Sequence, residues 1–517
     1  MIRSVVGVDI GTTSTKAVVY RADRKGRGAV LGEHAVEYPL ETPVPGAAEQ
    51  DPERIYQAVV VAIHGAVMAA RVEGRTVACL AFSAAMHSLI AIDDADRPLT
   101  PSFTWADNRA APWAERVNAE HDGLAIYRRT GTPIHPMSPL VKLLWLRHER
   151  PDVWAKARRF VGIKEFVLAR LCGDYVVDHS IASATGLFNL QALDWDSGAL
   201  ALAEVDASRL STPVPTTHRL ALVDAAQAHA LGLVAGTPVI VGANDGVLSN
   251  LGVGAIDRGA VALTIGTSGA MRTVVDAPQT DPEGRTFCYA LTQEHWVVGG
   301  PVNNGGIVLR WVRDEFAAAE TETAKRLGID PYDVLTHIAA RVPAGAGGLL
   351  FHPYLAGERA PLWNADLRGS FFGLAMHHRK EHMIRAVLEG VLMNLHTILP
   401  AIEDLIGRTR VIKATGGFAR SPMWRQMLAD VFDREVVVPE SIESSCFGAA
   451  MLGLFALGEI ESLDEVAGLI GATHRHQPDA AAAAAYARLA PIFAALPRQL
   501  EAQYKAITAF QCDLGQQ

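Results

Sequence analysis

A short segment near the start of the chain combines residue types that could bind a phosphate and a metal ion. The apolar run Val5–Ile10 carries one carboxylate, Asp9, and is followed by the small residues Gly11–Thr15 and then by Lys16. Two β-rich runs joined by a glycine-containing turn predict a hairpin. Its turn would offer backbone N–H groups and hydroxyls to an anion, and a carboxylate on a buried strand favours a cation or a hydrogen-bond network as its partner. The alternative is an ordinary hairpin with a polar tip.

The pattern of this hairpin recurs about half the chain later. Thr264–Thr267 repeats the Asp-Ile-Gly-Thr of the first copy with Thr264 in the place of Asp9, and a small turn and a second strand follow. This partial repeat indicates two domains of related fold with a boundary near Gly254–Gly259. Two anion-binding turns suit a polyphosphate such as ATP better than a single phosphate. The sequence contains no GxxxxGK[ST] segment and no convincing GxGxxG segment after a strand, so neither of these nucleotide motifs is indicated.

The segments around the hairpins alternate between strand and helix, which predicts α/β domains. A helix is predicted from Pro52 to Arg71 with Asp51 as its N-cap, and strands are predicted at Val77–Phe82 and Val239–Val241. Ligands of α/β domains bind at the carboxyl ends of the strands. The residues that follow these two strands are therefore candidates for a site.

A second carboxylate, Asp245, follows the strand Val239–Val241 and stands between Gly242 and Gly246. At that position it could accept a proton from a substrate hydroxyl, which is what phosphoryl transfer needs besides positioning and a metal. A helix N-cap or an Asx-turn is the alternative role for this aspartate.

Two polar segments of the first half could contact a polyol. Met86-His87 follows the strand Val77–Phe82, although a histidine beside apolar residues is more often part of a core. The segment 105–109 places Trp105 beside Asp107, Asn108 and Arg109, which offer hydrogen-bond groups of both signs and equally suit a surface turn.

A glycine pair in the second half could approach a nucleotide. Gly416-Gly417 follows the predicted strand Val411–Thr415 and precedes a helix that Ser421 and Pro422 predict, with Ser421 as its cap. A backbone without side chains could lie there against a purine or a ribose, or could form an ordinary strand-to-helix turn.

Composition excludes several classes of protein. The chain has 517 residues, 49% of them hydrophobic and 20% charged, with a net charge of −9, so a soluble multi-domain protein is expected and a nucleic-acid partner is not. Five scattered cysteines without a CxxC pair suit a reducing compartment. His377, His378 and His382 lack a carboxylate or thiolate that would complete a metal shell. With no room for a signal peptide and an apolar stretch at 58–70 too short for a membrane span, a cytoplasmic location is expected.

Taken together, these segments resemble the FGGY carbohydrate kinases of the actin/Hsp70/sugar-kinase superfamily. The matching segments occur in family order and are VGVDIGTTSTKAV, Met86-His87, TWADNR, GANDG, LTIGTSGAM, GERAP, RGSFFGL and ATGGFARSPMWRQMLAD. Within the family, SAAMHSLIAID, LTPSFTWADNRA and RRTGTPIHPMSPLVKL are most similar to the bacterial members that phosphorylate gluconate.

The resemblance implies an α/β fold of two ribonuclease-H-like domains flanking a catalytic cleft. Residues 1–254 would bind sugar and phosphate and carry the base, residues 255–460 would bind ATP, and residues 461–517 would form a helical tail packed on the second domain. The implied reaction is ATP-dependent phosphorylation of a sugar or sugar acid. A kinase of a neutral ketose or polyol, such as xylulose, is the alternative, followed by a non-catalytic protein that uses ATP as a conformational switch.

The resemblance also implies roles for individual residues. Asp245 would be the general base, and Asp9 would help to place Mg²⁺. The groups implied to contact the phosphates of ATP are Thr12, Thr13, Ser14, Lys16 and Thr267. The groups implied to lie against ADP are Gly306, Gly417 and Ser421, where relatives often carry asparagine in place of Ser421. The groups implied to line the sugar site are Met86, His87, Trp105, Asp107, Asn108 and Arg109. Arg109, Lys142 and Lys164 are candidates for the cation that a substrate carboxylate would need, and a homodimer is a possible assembly.

Overall fold

A computed structural model of the chain describes residues 3–24, 26–439, 443–471 and 473–515. The chain divides into two compact units, each assembled from three segments. The first unit comprises Met1–Asp257, Val274–Val298 and Glu443–Ile470. The second unit comprises Arg258–Thr273, Gly299–Ile442 and Gly471–Gln517.

Strands and helices alternate in both halves of the chain. The strands up to residue 257 are β1 Ser4–Ile10, β2 Ser14–Arg21, β3 Val30–Glu37, β4 Glu49–Gln50, β5 Val77–Ala84, β6 Ile90–Ile92, β7 Ser102–Phe103, β8 Arg159–Val161, β9 Val176–Asp178, β10 Phe188–Asn189, β11 Asp194–Trp195, β12 Thr212–Val214, β13 Arg219–Ala221 and β14 Pro238–Asn244. The later strands are β15 Ala260–Ile265, β16 Gly269–Val275, β17 Phe287–Ala290, β18 Trp296–Val302, β19 Leu350–His352, β20 Ser370–Phe372, β21 Val411–Thr415, β22 Glu435–Pro439 and β23 Thr473–His476.

The α-helices are distributed in the same way. Those up to residue 257 are α1 Pro52–Ala70, α2 Ala111–Glu120, α3 Gly123–Thr130, α4 Pro139–Glu149, α5 Pro151–Lys156, α6 Ile163–Cys172, α7 His179–Ser183, α8 Ser197–Ala203, α9 Ala225–Ala230 and α10 Asp245–Gly252. The later ones are α11 Gly306–Trp311, α12 Ala318–Leu327, α13 Pro331–Ala339, α14 Lys380–His396, α15 Leu399–Ile406, α16 Pro422–Phe432, α17 Ser444–Ala456, α18 Ala480–Gln499 and α19 Glu501–Gly515.

Local sequence signals locate several of these elements. The helix predicted from Pro52 is α1, and the Asp51 carboxylate caps it by accepting the N–H groups of Glu53 and Arg54. α16 begins at Pro422 and is capped by Ser421, as predicted. Both caps satisfy N–H groups that would otherwise lack a partner at the start of a helix.

The main sheet of the first unit has the strand order β13-β14-β5-β1-β2-β3. β1 and β2 form the predicted hairpin, in which Asp9 lies opposite Lys16. β5 runs parallel to β1 with Ser83 beside Asp9, and β14 runs parallel to β5 with Asn244 beside Ala84. The carboxyl ends of β1, β5 and β14 therefore meet at one edge of the sheet, which is where α/β domains bind ligands.

The strands of the second unit repeat this arrangement. They belong to a seven-stranded sheet of the order β17-β18-β16-β15-β21-β22-β23. β15 and β16 form a hairpin, β21 and β22 follow it as parallel neighbours, and β23 closes this side in the antiparallel sense. In the first unit, β14 is followed in the same way by the antiparallel strand β13. The expectation of two α/β domains of related fold is confirmed.

The boundaries of the two compact units differ from those of the predicted domains 1–254, 255–460 and 461–517. The division into these three domains stays a prediction. The helix α17 packs on β1 and on α10 within the first unit. Its close fit depends on glycine, because a Cβ at Gly7 would overlap the carbonyl oxygen of Cys446, and one at Gly448 would overlap that of Leu248. A run of small residues predicts close packing but does not specify the sheet that receives it.

The segment Val274–Val298 is also held by residues of the first unit. The Thr216 hydroxyl donates to the carbonyl oxygen of Leu291 at 2.5 Å, and the N–H of Ala290 donates to Ser183 Oγ at 3.1 Å. These contacts join groups far apart in sequence, so no local pattern predicts them.

Among the residues that the structure describes, two helical segments are long and apolar enough to cross a membrane by length and composition alone, Lys380–Ile406 and Ala480–Gln499. The apolar window of the first is 78% buried inside the protein. Core helices of soluble proteins pass the same test, and the buried window has that character. The apolar stretch at 58–70 is not among the segments that pass this test in the described part of the chain.

Candidate active site

Two carboxylates lie at the carboxyl ends of β1 and β14, the two strands that flank β5 in the sheet of the first unit. Asp9 is near the end of β1, where its Oδ1 accepts a hydrogen bond from Ser83 Oγ at 2.6 Å. Burial, and then the negative charge of Asp245, raise the pKa of Asp9 from 3.8 to about 7. A shift of this kind is typical of two carboxylates that share a site.

Asp245 is the first residue of α10, directly after β14. The helix cap is the neighbouring Asn244, whose side-chain oxygen accepts the N–H of Val247 at 2.8 Å. The N–H of Gly246 donates to Asp245 Oδ1 at 2.6 Å. The N-cap role considered for Asp245 thus belongs to Asn244.

The carboxylate pair suits a hard divalent cation with few protein ligands. Mg²⁺ is usually bound by one or two carboxylates, with water and substrate phosphates as its other ligands. Within the described part of the chain, no group of three or more histidine, cysteine, aspartate or glutamate side chains could hold a metal ion. Asp9 and Asp245 fit the binding of Mg²⁺ by one or two carboxylates.

The tip of the first hairpin is tied to surrounding residues by hydrogen bonds. The indole N–H of Trp105 donates to Thr12 Oγ1 at 2.9 Å, and Gln50 Nε2 donates to the carbonyl oxygen of Thr12 at 2.6 Å. Thr13 is exposed and Ser14 is partly exposed. The predicted sugar and phosphate segments of the first unit are thus in direct contact through Trp105 and Thr12.

Lys16 lies between two carboxylates. Its Nζ is 3.1 Å from Glu33 Oε2 and 2.8 Å from Glu443 Oε1. Burial lowers the pKa of Lys16, but hydrogen bonds and the charges of Glu443 and Glu33 outweigh it, and the net shift is upward. The ammonium is charged, and its partners are carboxylates of this unit.

His87 is held in a fixed orientation. Its backbone has a φ of +70°, which is uncommon for a residue with a side chain. Its Nδ1 is 2.7 Å from the carbonyl oxygen of Ala184, so Nδ1 carries the proton and Nε2 faces the hydroxyl of Tyr289 at 3.5 Å. Met86, beside it, is partly buried against the apolar core of the unit.

The cluster at 105–109 is largely satisfied by its own contacts. Arg109 Nε is 3.1 Å from both carboxylate oxygens of Asp107, and Arg109 Nη2 is 2.5 Å from Glu49 Oε1. Asp107 also accepts the N–H of Ala48 at 3.1 Å, whereas Asn108 is exposed. Asp107 and Arg109 thus stabilise the loop that carries Trp105.

The three cations proposed for a substrate carboxylate all have partners. Lys142 donates to backbone carbonyl oxygens, including those of His87 and Thr104 at 2.6 Å each. Lys164 Nζ is 2.6 Å from Asp178 Oδ2 and donates to the carbonyl oxygen of Ala243 at 3.0 Å. With Arg109 bound to Asp107 and Glu49, none of the three is an uncommitted charge.

A cavity of about 310 Å³ in the second unit collects the four residues that the sequence assigns to the nucleotide from that half. They are Thr267, Gly306, Gly417 and Ser421. Gly306 approaches the second hairpin closely, because its N–H donates to the carbonyl oxygen of Gly266 at 2.7 Å and a Cβ at Gly306 would lie 2.6 Å from that oxygen. A Cβ at Gly417 would meet nothing within 4 Å, so this wall is open to a flat ligand.

The cavity has further walls that the sequence analysis missed. They are contributed by Ile265, Gly266, Leu309, Arg310, Asp330, Tyr332, Asp333, Thr336, Phe418, Arg420 and Trp424. Ile265, Gly266, Phe418, Arg420 and Trp424 lie within the family-matching segments LTIGTSGAM and ATGGFARSPMWRQMLAD. Asp330 before Pro331 marks the start of a helix and carries no information about a ligand. Ser421 also caps α16, because its Oγ accepts the N–H of Trp424 at 3.3 Å.

Two sheets of the same order, with a carboxylate pair in one unit and a glycine-walled cavity in the other, define the actin/Hsp70/sugar-kinase type of α/β fold. The FGGY family of carbohydrate kinases, N-terminal domain, matches residues 4–252, and its C-terminal domain matches residues 261–457. The chain belongs to the FGGY family of carbohydrate kinases.

Individual relatives are similar over almost the whole chain. A protein of Bacillus subtilis named gluconokinase is 56% identical over 508 residues, which are 98% of each chain. The crystal structure of a gluconate kinase from Lactobacillus acidophilus is 37% identical and covers 98% of this chain and 100% of its own, with a TM-score of 0.91. The crystal structure of a ligand-bound xylulose kinase from the same organism has the same identity, coverage and TM-score.

Proposed function

We propose that this kinase transfers the γ-phosphoryl group of ATP to the 6-hydroxyl of D-gluconate, giving 6-phosphogluconate and ADP. One observation carries the choice of gluconate, namely the 56% identity, over 98% of both chains, to the Bacillus subtilis gluconokinase. Fold similarity does not select the sugar, because solved structures of equal similarity are named for gluconate and for xylulose.

Asp245 is assigned as the general base. Its carboxylate takes the proton of the substrate hydroxyl while that oxygen bonds to the γ-phosphorus and the bond to the leaving oxygen of ADP breaks. Its place after β14 and beside Asp9 supports this role. Burial lowers the pKa of Lys164, and the negative charges of its neighbours Asp178 and Asp245 oppose that shift, which indicates that the lysine lies close enough to Asp245 to interact with its charge.

Asp9 is assigned to Mg²⁺. The donor set supports this, since two partly buried carboxylates that repel each other gain from a shared cation and Mg²⁺ needs few protein ligands. When bound, Mg²⁺ would neutralise charge on the β- and γ-phosphates.

The remaining proposals concern the residues of each unit that contact the phosphates, ADP and the sugar. Phosphate contacts are proposed for Thr12, Thr13, Ser14, Lys16 and Thr267. Contacts with ADP are proposed for Gly306, Gly417 and Ser421, and the cavity they share is the support. Sugar contacts are proposed for Met86, His87, Trp105, Asp107, Asn108 and Arg109. Among the three candidate cations, Arg109 is favoured for the substrate carboxylate, because its side chain is 17% exposed and those of Lys142 and Lys164 are nearly fully buried.

A kinase of a neutral ketose such as xylulose is the second candidate. The solved structure named as a xylulose kinase favours it, as does the finding that each candidate cation already has partners. For either sugar, a small-molecule substrate and a cytoplasmic location are proposed, without membrane or nucleic acid as partner, and a homodimer is a possible assembly.

An ADP-release assay that compares gluconate, xylulose, glycerol and ribulose tests the proposal. The highest kcat/KM is expected with gluconate, and a preference for xylulose would establish the second candidate instead. Asp245→Asn is expected to lower kcat by about 10²- to 10⁴-fold while ADP binds as in the wild type. ATP hydrolysis that needs no sugar and is unchanged in Asp245→Asn would instead indicate a conformational switch.

A further inference from the structure

Lys142 is a buried lysine whose ammonium group donates hydrogen bonds to backbone carbonyl groups. It lies in the first turns of α4 and is 1% exposed. Its Nζ donates to the carbonyl oxygens of His87 and Thr104 at 2.6 Å each, with that of Phe103 at 3.5 Å. An ammonium has three protons to donate, and three carbonyl oxygens lie within 3.5 Å of this Nζ.

Those carbonyl groups belong to two segments that are far apart in sequence. His87 is in the loop after β5, and Phe103 and Thr104 lead into the loop that carries Trp105. The two segments are joined where Leu89 and Phe103 exchange backbone hydrogen bonds of 3.1 and 3.0 Å. Lys142 adds a second connection beyond that point, on the side of His87 and Trp105.

The connection fixes a strained residue. His87 has a φ of +70°, a conformation that costs of order 1–2 kcal/mol for a residue with a side chain unless surrounding contacts determine it. Its ring is held by the carbonyl oxygen of Ala184, and its own carbonyl group is held by Lys142. The two contacts restrain the ring and the backbone of His87 from opposite ends of the residue.

The cost of burying the ammonium argues against a role in packing alone. In the described residues Lys142 forms no salt bridge, and its electrostatic neighbours are Asp107, which attracts it, and Arg109, which repels it. Burial lowers the pKa of Lys142 to about 7. A methionine would fill the same space without this desolvation penalty, so the donors have a use that volume does not explain.

We propose that Lys142 is a positioning residue of the sugar site, which joins the Met86–Ser88 loop to the Trp105 loop and thereby sets the directions of His87 and Trp105. The inference depends on the proposed function in one respect, namely that these two loops contact the sugar. It also reassigns Lys142, which acts through the backbone and does not bind the substrate carboxylate.

The test compares wild type with Lys142→Met, which keeps the length of the side chain and removes every donor. The KM for gluconate is expected to rise about 10- to 100-fold, as for loss of hydrogen bonds from a charged donor, while the KM for ATP stays within about threefold. Lys142→Arg retains donors and is expected to lie between the two. An unchanged KM for gluconate in folded Lys142→Met would overturn the proposal, as would an equal rise in both KM values with a loss of thermal stability.

A matched control is Lys164→Met, because Lys164 is equally buried but donates to Ala243 beside Asp245. Its effect is expected mainly in kcat. If both variants raise the KM for gluconate alike, the effect is general to buried lysines and the proposal fails.

Calorimetric binding of gluconate and of its neutral amide separates positioning from direct contact. Positioning predicts that Lys142→Met weakens both ligands by the same factor, whereas a lysine on the substrate carboxylate would weaken gluconate alone. If Lys142→Met does not fold, Lys142→Arg is measured in the same way and must weaken both ligands equally. Turnover by the wild type reports on the proposed function, and the ratio of variant to wild type, with whichever sugar binds, reports on Lys142.

Discussion

The two glycine hairpins, β1–β2 and β15–β16, share a sequence pattern and a place in their sheets but differ in their contacts. In the first, Asp9 is bonded to Ser83 and the hydroxyl of Thr12 accepts the Trp105 indole N–H. In the second, Thr264 stands in place of Asp9, and Thr267 is exposed beside the cavity. The shared sequence pattern therefore specifies a backbone shape. The side chains differ, so the first hairpin carries a charged group and the second forms part of a cavity wall.

The turns also differ in length. Ile10 pairs with Thr15 in the first hairpin, whereas Ile265 pairs with Gly269 in the second, which encloses one residue fewer. Gly266 and Thr267 then direct their carbonyl oxygens to the N–H groups of Gly306 and Ile307 at 2.7 and 3.0 Å. The shorter turn is thereby fixed to the start of α11 and is preorganised as a wall.

The largest expected effect comes from the position at which the hairpins differ in charge. Asp9→Asn is expected to lower kcat at limiting Mg²⁺ by at least about 100-fold, because loss of a metal-directing carboxylate exceeds the 10- to 100-fold cost of losing an indirect metal contact. Thr264→Ser is expected to change kcat by less than about threefold. Titration of activity with Mg²⁺ measures both, and equal effects would show that the hairpins are interchangeable.

Asp9→Asn also has a signature in stability as a function of pH. Because the folded state raises the pKa of Asp9 from 3.8 to about 7, the folded protein holds this proton more tightly than the unfolded chain does. Wild type therefore loses stability relative to Asp9→Asn as pH rises between about 4 and 7. In metal-free protein the gain in Tm from the substitution should be larger at pH 8 than at pH 5. A gain that does not depend on pH would contradict the raised pKa.

Local signals were sufficient to predict the hairpins, the Asp51 and Ser421 caps and the aspartates at strand ends. Each depends on residues within a few positions of one another. Lys16 shows the limit of prediction from local patterns, because its partner Glu443 lies more than 400 residues away. From the sequence, Lys16 was expected to contact phosphate alone.

Contacts that depend on packing were also out of reach. The small residues of α17 predict close approach without identifying β1 as the partner. Asp330 and Tyr332 line the cavity of the second unit because α13 is packed there, not because a motif marks them. Arg109, Lys142 and Lys164 could be named as cations, but their partners depend on the fold.

A smaller effect is expected where the strand next to each hairpin ends. Ala84 lies beside Ile10 in the first unit, whereas the matching place beside Ile265 is held by Gly416 with a φ of 111°. A Cβ there would overlap the carbonyl oxygen of Ile265. Gly416→Ala is therefore expected to destabilise the protein by about 3 kcal/mol, at the upper end of backbone strain, as measured by denaturant unfolding.

Gly417→Ala is the matched control for this substitution. Its Cβ would meet nothing within 4 Å, so stability should stay within about 0.5 kcal/mol, while a methyl group facing the cavity raises the KM for ATP. If the two alanines destabilise equally, the strained turn at Gly416 is not what separates the second hairpin from the first.

The smallest expected effect distinguishes the two threonines at the hairpin tips. Thr12→Val removes the acceptor of the Trp105 indole N–H and is expected to cost about 1–3 kcal/mol of stability. Because Trp105 is proposed to contact the sugar, the Thr12→Val variant should show a higher KM for the sugar as well as for ATP. Thr267→Val removes an exposed hydroxyl, so only the KM for ATP should rise, without a change in Tm. A rise in the sugar KM with Thr267→Val, or its absence with Thr12→Val, would contradict the division of tasks between the hairpins.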